Sequence, residues 1–205
     1  MRGLLVCVCG PDASGKTTLI NKFLEKNSDW EVFKFPNRNT VIGQKIDLIL
    51  KGELKVSKEV ELKLFADNRA EFRKHILEKI TSGKNVILDR YAYCGMAYTM
   101  TQQFEDTMDG KCKLLNDDLT IRKIALLDKD NYKPDLVVLT TADYSSKRID
   151  KEKYDFLDRN VLLNNYIQSF LYTKTPFCLS RASKNSLKFQ ISKFCDPNKK
   201  LVKFL

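Results

Sequence analysis

No stretch of this sequence is apolar for long enough to cross a membrane, and none joins a basic start to a long apolar core and a cleavage site. The first apolar run begins almost at Met1, which leaves little room for a transit peptide. No membrane contact is expected. Proline and glycine form no linkers, and no repeat or low-complexity segment interrupts the chain, so a single domain over residues 1–205 is expected. None of the cysteines Cys7, Cys9, Cys94, Cys112, Cys178 and Cys195 makes a C-x-x-C pair. Neither a zinc site nor a disulfide framework is therefore expected, and reduced thiols fit a cytoplasmic or nuclear protein. Cys7 and Cys9 fall on one face of a predicted strand, too extended there to bridge readily. The one histidine, His75, falls on a helical pattern and is assigned to the surface without a role.

What the chain has is positive charge, +10 net. Such charge serves either a nucleic acid or the phosphates of small ligands. The lysines are scattered, apart from Lys199, Lys200 and Lys203, and no array of interleaved aromatic and basic residues is present. Most of this charge reads as solvated surface, and no nucleic-acid partner is expected. Short apolar runs at Leu4–Val8, Trp30–Phe35, Asn85–Leu88, Leu136–Leu139 and Pro176–Leu179 alternate with helical patterns. Those patterns cover Lys16–Lys26, Val41–Lys51, Lys58–Thr81, Tyr93–Phe104, Leu119–Leu127, Tyr154–Tyr172 and Leu187–Phe194. The alternation predicts an α/β fold, with a five-stranded parallel sheet flanked by helices on both faces. Ligands of such sheets bind beyond the carboxyl ends of the strands.

The first strand runs into Gly10-Pro11-Asp12-Ala13-Ser14-Gly15-Lys16-Thr17-Thr18 and then a helix, which is the context of a P-loop. Gly10 and Gly15 let the backbone curl until successive N–H groups face one anion, with the helix N-terminus behind them. Lys16 supplies a point charge for the outer phosphates, and Thr17 a hydroxyl for Mg²⁺. A chance match in a chain this long is about a one-in-a-hundred event, so a P-loop NTPase fold and nucleoside triphosphate binding are expected.

Other candidates fall beyond other strands. Phe35-Pro36 closes the second strand, Asn39 or Thr40 caps the next helix, and Arg38 emerges between them with a donor fork suited to a phosphate. On the helix Lys58–Thr81, Phe65, Arg69, Phe72 and Ile76 share one face. An aromatic one turn from a guanidinium suits a nucleobase, by stacking and by edge hydrogen bonds. The third strand ends Leu88-Asp89-Arg90; Asp89 is placed to reach a Mg²⁺ shell, and Arg90 to project over phosphates.

The segments GPDASGKTT, FPNRNTVIG, LFADNRAEF, DRYAYCGMAY, KPDLVVL and RASKN, in this order and spacing, resemble the thymidylate kinase family. These P-loop enzymes phosphorylate dTMP with ATP, and the likeness is to the eukaryotic and large-DNA-virus branch. The resemblance implies that Asp12 contacts the sugar 3′-hydroxyl, and that Arg38 and Arg90 hold the monophosphate. It implies Phe65 stacked on thymine, Arg69 on its carbonyl edge, Cys94, Gly95 and Tyr98 as the wall around base and sugar, and Tyr154 excluding a ribose 2′-hydroxyl. Ala182, Ser183 and Lys184 match the loop beside adenine. It also implies a short helical lid at about 143–159 and a homodimer. The P-loop carries no base at Pro11, Ala13 or Ser14, so Arg148, Lys153 or Arg159 is expected to supply the additional charge, Arg148 being preferred.

The chain departs from the family pattern at Cys9, where an acidic residue is usual, at Cys94 in place of serine and at Ala70 in place of tryptophan. Its lid is shorter, and Thr99–Tyr132 is longer and differently composed. The expected function is ATP- and Mg²⁺-dependent phosphorylation of dTMP. The alternatives are a broader monophosphate kinase acting on dUMP or dGMP, a P-loop ATPase that binds nucleic acid, and a non-catalytic nucleotide-binding protein.

Overall fold

The computed structural model describes residues 2–105, 118–142, 153–154 and 157–180. Among them the order is β1 (Leu5–Cys9), α1 (Lys16–Leu24), β2 (Glu31–Lys34), α2 (Val41–Leu50), α3 (Lys58–Ala70), α4 (Arg73–Thr81), β3 (Val86–Asp89), α5 (Ala92–Glu105), α6 (Asp118–Leu127), β4 (Leu136–Thr140), α7 (Arg159–Tyr172) and β5 (Phe177–Ser180). The strands form one five-stranded sheet in the order β2-β3-β1-β4-β5, every adjacent pair parallel. The α/β architecture and the five-stranded parallel sheet expected from the alternation are present.

The strands explain why the sheet is covered on both faces. β1, β3 and β4 read LVCVC, VILD and LVVLT, and every residue of each is buried. Their side chains divide by parity. Leu5, Cys7, Cys9, Leu88, Val137 and Leu139 join Ile76 and Ile80 of α4 and Tyr166 and Phe170 of α7 in one core. Val6, Val8, Ile87, Leu136 and Val138 meet Leu19, Ile20 and Phe23 of α1 in the other.

Two predicted helices differ from those observed. The pattern over Lys58–Thr81 divides into α3 and α4, with Phe72 in a bridge conformation (φ −99°, ψ −1°) between them. The break turns the Phe72 ring edgewise onto Phe33 and Phe35, with centroids 6.1 and 5.8 Å away. Phe72 and Ile76 thus face the core, while Phe65 and Arg69 face a cleft. The helix predicted from Tyr154 starts only at Arg159, where the Asp158 carboxylate caps it by accepting from Val161 N at 2.8 Å. The predicted helix Leu187–Phe194 lies outside the described residues.

The loop from β2 to α2 is built to present Arg38. The Phe35–Pro36 bond is cis, and Thr40 caps α2 by accepting from Gly43 N at 3.0 Å. A Cβ on Gly43 would stand 1.7 Å from the Asn37 carbonyl oxygen, so only glycine lets α2 lie this close to the loop. Asn68, fully buried on α3, accepts from Asn37 N at 2.7 Å and donates to Asn37 O at 3.1 Å and Thr40 Oγ1 at 3.0 Å. Replacing Asn68 by alanine removes the partner of Asn37 N and one partner each of Asn37 O and Thr40 Oγ1. A loss of about 1–3 kcal/mol is expected, read as a lower midpoint in denaturant. An unchanged midpoint would show that the loop holds itself.

Candidate active site

The P-loop seats on the end of β4. Gly10 (φ 145°) and Gly15 (φ 83°) supply the left-handed turns, and Ala13 (φ 53°) adopts one as well. A Cβ on Gly10 would meet Thr140 Oγ1 at 2.3 Å and the Thr140 carbonyl at 2.6 Å. Thr140 Oγ1 donates to Cys9 O at 3.0 Å, which leaves it to accept from Ser14 Oγ at 2.5 Å. Lys16, the first residue of α1, is buried and curls back to donate to Gly10 O at 3.0 Å and Pro11 O at 2.5 Å. Burial, and then the Arg90 cation, lower its pKa to about 7.

The end of β3 is locked to the end of β1. Asp89 lies opposite Val8, and Arg90 N donates to Val8 O at 3.0 Å. Arg90 then takes φ 68°, a left-handed conformation costing a non-glycine residue roughly 1–2 kcal/mol. The turn swings its guanidinium back over the P-loop, where Nη1 donates to Gly10 O at 3.2 Å and Nη2 pairs with Asp12 Oδ1. Tyr98 OH donates to the other Asp12 oxygen at 2.9 Å. Burial opposes the Arg90 charge, but Asp12 together with Tyr98, Tyr166 and Cys94 outweighs it, and the Arg90 pKa is raised. Arg159 donates to Asp12 O at 3.2 Å and to Ala142 O, so the first residue of α7 also rests on the loop.

A cleft of about 1150 Å³ opens above these strand ends. Asp12, Ser14, Gly15, Lys16, Thr17, Thr18, Asp89 and Arg90 line it on the P-loop side. Phe35, Pro36, Arg38, Phe65, Arg69, Cys94, Gly95, Tyr98 and Tyr154 line the rest. Gly10 lies beneath, as the shared acceptor of Lys16, Arg90 and Tyr166. Arg148, Ala182, Ser183 and Lys184, and most of the lid expected at about 143–159, lie outside the described residues.

The environments separate the candidates. Arg38 is exposed and donates to Asp47 Oδ1 at 2.6 Å. Arg69 is buried and forms a two-point ion pair with Asp128, Nε–Oδ1 2.7 Å and Nη2–Oδ2 2.6 Å. Tyr154 packs edgewise on Tyr98 at 5.5 Å. Its hydroxyl donates to Glu61, whose second oxygen accepts from Lys153 Nζ at 2.9 Å. Burial and then Glu61 raise the Tyr154 pKa. Cys94 Sγ lies 3.8 Å from Cys9 Sγ, and burial first raises the pKa of both thiols, so neither is a ready nucleophile.

Glu61, Asn68 and Asp128 are not among the sequence-predicted residues. Glu61 carries a signal: it lies four residues before Phe65 and eight before Arg69, on the same helical stripe. Asp128 carries none, because it follows α6 in the segment that departs from the family pattern.

The arrangement sets Lys16, Arg38 and Arg90 around one cleft with an aromatic wall opposite, which suits two phosphorylated ligands. Among the described residues no group of three or more His, Cys, Asp or Glu side chains could hold a metal alone. Asp89 is buried with Oδ1 unpartnered, and the exposed Thr17 lines the same cleft. That pair fits Mg²⁺, which takes its remaining oxygens from phosphates and water.

A sequence profile described as thymidylate kinase matches residues 8–168. The thymidylate kinase of Schizosaccharomyces pombe is 42% identical over 102 residues, 48% of this chain and 49% of that protein. A putative thymidylate kinase, 251L, of Invertebrate iridescent virus 6 is 39% identical over 105 residues, 49% of each. The chain thus spans about half the length of the curated relatives it matches. The solved thymidylate kinase of Candida albicans, described as having broad substrate specificity, superposes with a TM-score of 0.71 at 28% identity, covering 94% of this chain and 90% of that one.

Lys16 gives the cleft a distinct pH response. A triphosphate brings fixed negative charge against an amine whose pKa is about 7, and so raises it. At roughly pH 8 the binding of ATP is expected to take up close to one proton. Calorimetry in buffers of different ionisation enthalpy reads this number. Uptake that persists in Lys16→Met would contradict the assignment.

Proposed function

The chain belongs to the thymidylate kinase family, and on that premise we propose that it transfers the terminal phosphoryl group of ATP to dTMP, giving ADP and dTDP. The observation that carries this reading is the meeting of Lys16 and Arg90 on the Gly10 carbonyl, with Asp12 bridging to Tyr98. Triphosphate machinery and the acceptor side of the cleft are thereby one structure.

The acceptor is already an anionic phosphate oxygen, so the reaction needs no strong general base. Positioning and charge neutralisation do the work. Lys16 and the loop N–H groups of Gly15, Thr17 and Thr18 hold the donor phosphates. Arg38 holds the acceptor phosphate on its outer side. Arg90 exchanges Asp12 for that phosphate and stabilises the group in flight, while Asp12 turns to the sugar 3′-hydroxyl. Phe65 stacks on the base, Arg69 donates to its carbonyl edge, and Cys94, Gly95, Tyr98 and Tyr154 close the nucleoside pocket beside Phe35 and Pro36. Ala182, Ser183 and Lys184 flank adenine, and the lid closes to exclude water. Arg148 supplies the further cation. Of the two other lid-region candidates, Lys153 is engaged by Glu61, whereas Arg159 already rests on the P-loop. Mg²⁺, when bound by Asp89 and Thr17, supplies charge neutralisation on the phosphates.

We assign the enzyme to the cytoplasm or nucleus, in keeping with the free thiols of Cys7, Cys9 and Cys94. A homodimer is supported by apolar side chains exposed on α2 and α6, Val41, Leu48, Leu126 and Leu127. Sedimentation equilibrium tests that assembly, and a monomer at assay concentration would overturn it.

The activity is tested by ADP release across dTMP, dUMP, dGMP and dCMP, with and without DNA. Turnover with dTMP is expected to be highest, with no stimulation by DNA. Lys16→Ala and Arg90→Ala are each expected to lower turnover by at least about a hundredfold. Near-normal dTMP turnover in either variant would sink this reading, as would ATP hydrolysis driven by DNA without a monophosphate.

A further inference from the structure

Arg69 and Asp128 form an ion pair unlike the others of the cleft. Their side chains are only 6% and 7% exposed, against 42% and 20% for Arg38–Asp47 and 17% and 30% for Arg90–Asp12. The contact is two-pointed along one edge of the guanidinium, Nε and Nη2 each meeting one carboxylate oxygen. Asp128 is itself held by Asn131 Nδ2, 2.5 Å from Oδ1. A buried, side-on pair fixes the plane of the fork and cancels its charge. Arg69 therefore cannot swing out to a phosphate as an arginine held in an open pair can.

What remains of Arg69 is Nη1 and the second N–H of Nη2, on a residue that lines the cleft. Gly95 stands beside that part of the fork: a Cβ there would lie 3.8 Å from Nη2 and 3.9 Å from Nη1, in contact with both. Phe65 lines the cleft one helical turn away on α3. The outcome is a neutralised, rigid edge made only of donors, beside an aromatic face. Such an edge pairs with a neutral carbonyl and repels the exocyclic amine of a 4-aminopyrimidine, which has only donors to offer it.

We propose that Asp128 is a positioning residue that, by locking and neutralising Arg69, sets the preference of this pocket for 4-oxopyrimidine over 4-aminopyrimidine nucleotides. This rests on the reading of Arg69 as the base-edge donor of a nucleoside monophosphate kinase. Equilibrium binding keeps the two apart, because turnover tests the reaction while affinity tests the pocket.

The experiment measures dTMP and dCMP affinity by calorimetry for the wild-type chain, Asp128→Asn, Arg69→Met and the double variant, with thermal melts alongside. Asp128→Asn keeps the shape and removes the charge. It is expected to weaken dTMP binding about tenfold to a hundredfold and to change dCMP binding by less than about threefold, narrowing the preference. In the Arg69→Met background, adding Asp128→Asn is expected to change dTMP affinity no further, because Asp128 acts through Arg69. A merely structural role would weaken both nucleotides alike. Equal loss for dTMP and dCMP, wild-type dTMP affinity in Asp128→Asn, or further loss in the double variant would each overturn the proposal. Should Asp128→Asn fail to fold, Asp128→Glu keeps the buried pair charged on both sides but displaces the fork. It is then expected to weaken dTMP binding more than dCMP binding, and equal loss for the two nucleotides or wild-type dTMP affinity would overturn the proposal.

Discussion

The site depends on the parallel pairing of β1 with β3. Val8 opposite Asp89 fixes where both strands stop, and the bond from Arg90 N to Val8 O extends the lock by one residue. Everything charged in the cleft is placed from there. Asp89 ends β3 opposite Val8, Gly10 leaves β1 two residues beyond Val8, and the left-handed turn at Arg90 throws its side chain back over the loop. A slip of one residue would send Asp89 to the opposite face of the sheet, away from the P-loop. The apolar strands LVCVC and VILD, buried on both faces, make such a slip costly, because it would exchange the side chains that fill the two cores.

A second constraint is electrostatic. Lys16 and Arg90 are two basic groups brought within reach of one carbonyl, and the Arg90 charge lowers the Lys16 pKa. The protein balances them with internal acceptors: Gly10 O and Pro11 O for Lys16, and Asp12 for Arg90. These are the partners a phosphate displaces. The cleft therefore resembles a set of charges held on temporary counterparts, and the half-exposed Asp12 is the counterpart most easily released. Arg69 is the exception, since its counterpart is as buried as it is.

Much of this was legible in the sequence, for reasons that differ by residue. Continuous apolar runs of strand length announce a sheet covered on both faces, and the observed sheet has that form. Gly10, Asp89 and Arg90 are legible because their placement is local: each directly follows or ends a strand, so the strand aims it, and Lys16 opens the helix that the glycine loop leads into. Phe65 and Arg69 come from one helical period. The residues that escaped are those whose meaning lies in a distant partner. Asn68 matters through Asn37 and Thr40, Glu61 through Lys153 and Tyr154, and Asp128 through Arg69. No periodicity within one element reports such pairings. The break between α3 and α4 escaped similarly: residues 58–81 are continuous in helical pattern, and only the packing of Phe72 against Phe33 and Phe35 breaks them.

The central claim is that donor and acceptor phosphates meet where β1 and β3 end, with Arg90 passing from Asp12 to the acceptor. A crystal structure of the chain with adenosine and thymidine joined through a phosphate bridge tests this directly. The account requires Arg90 on the bridge near thymidine, Asp12 released to the sugar hydroxyl, and Lys16 turned from the Gly10 and Pro11 carbonyls to the bridge. An Arg90 still paired with Asp12 while the bridge lies away from the ends of β1 and β3 would contradict it.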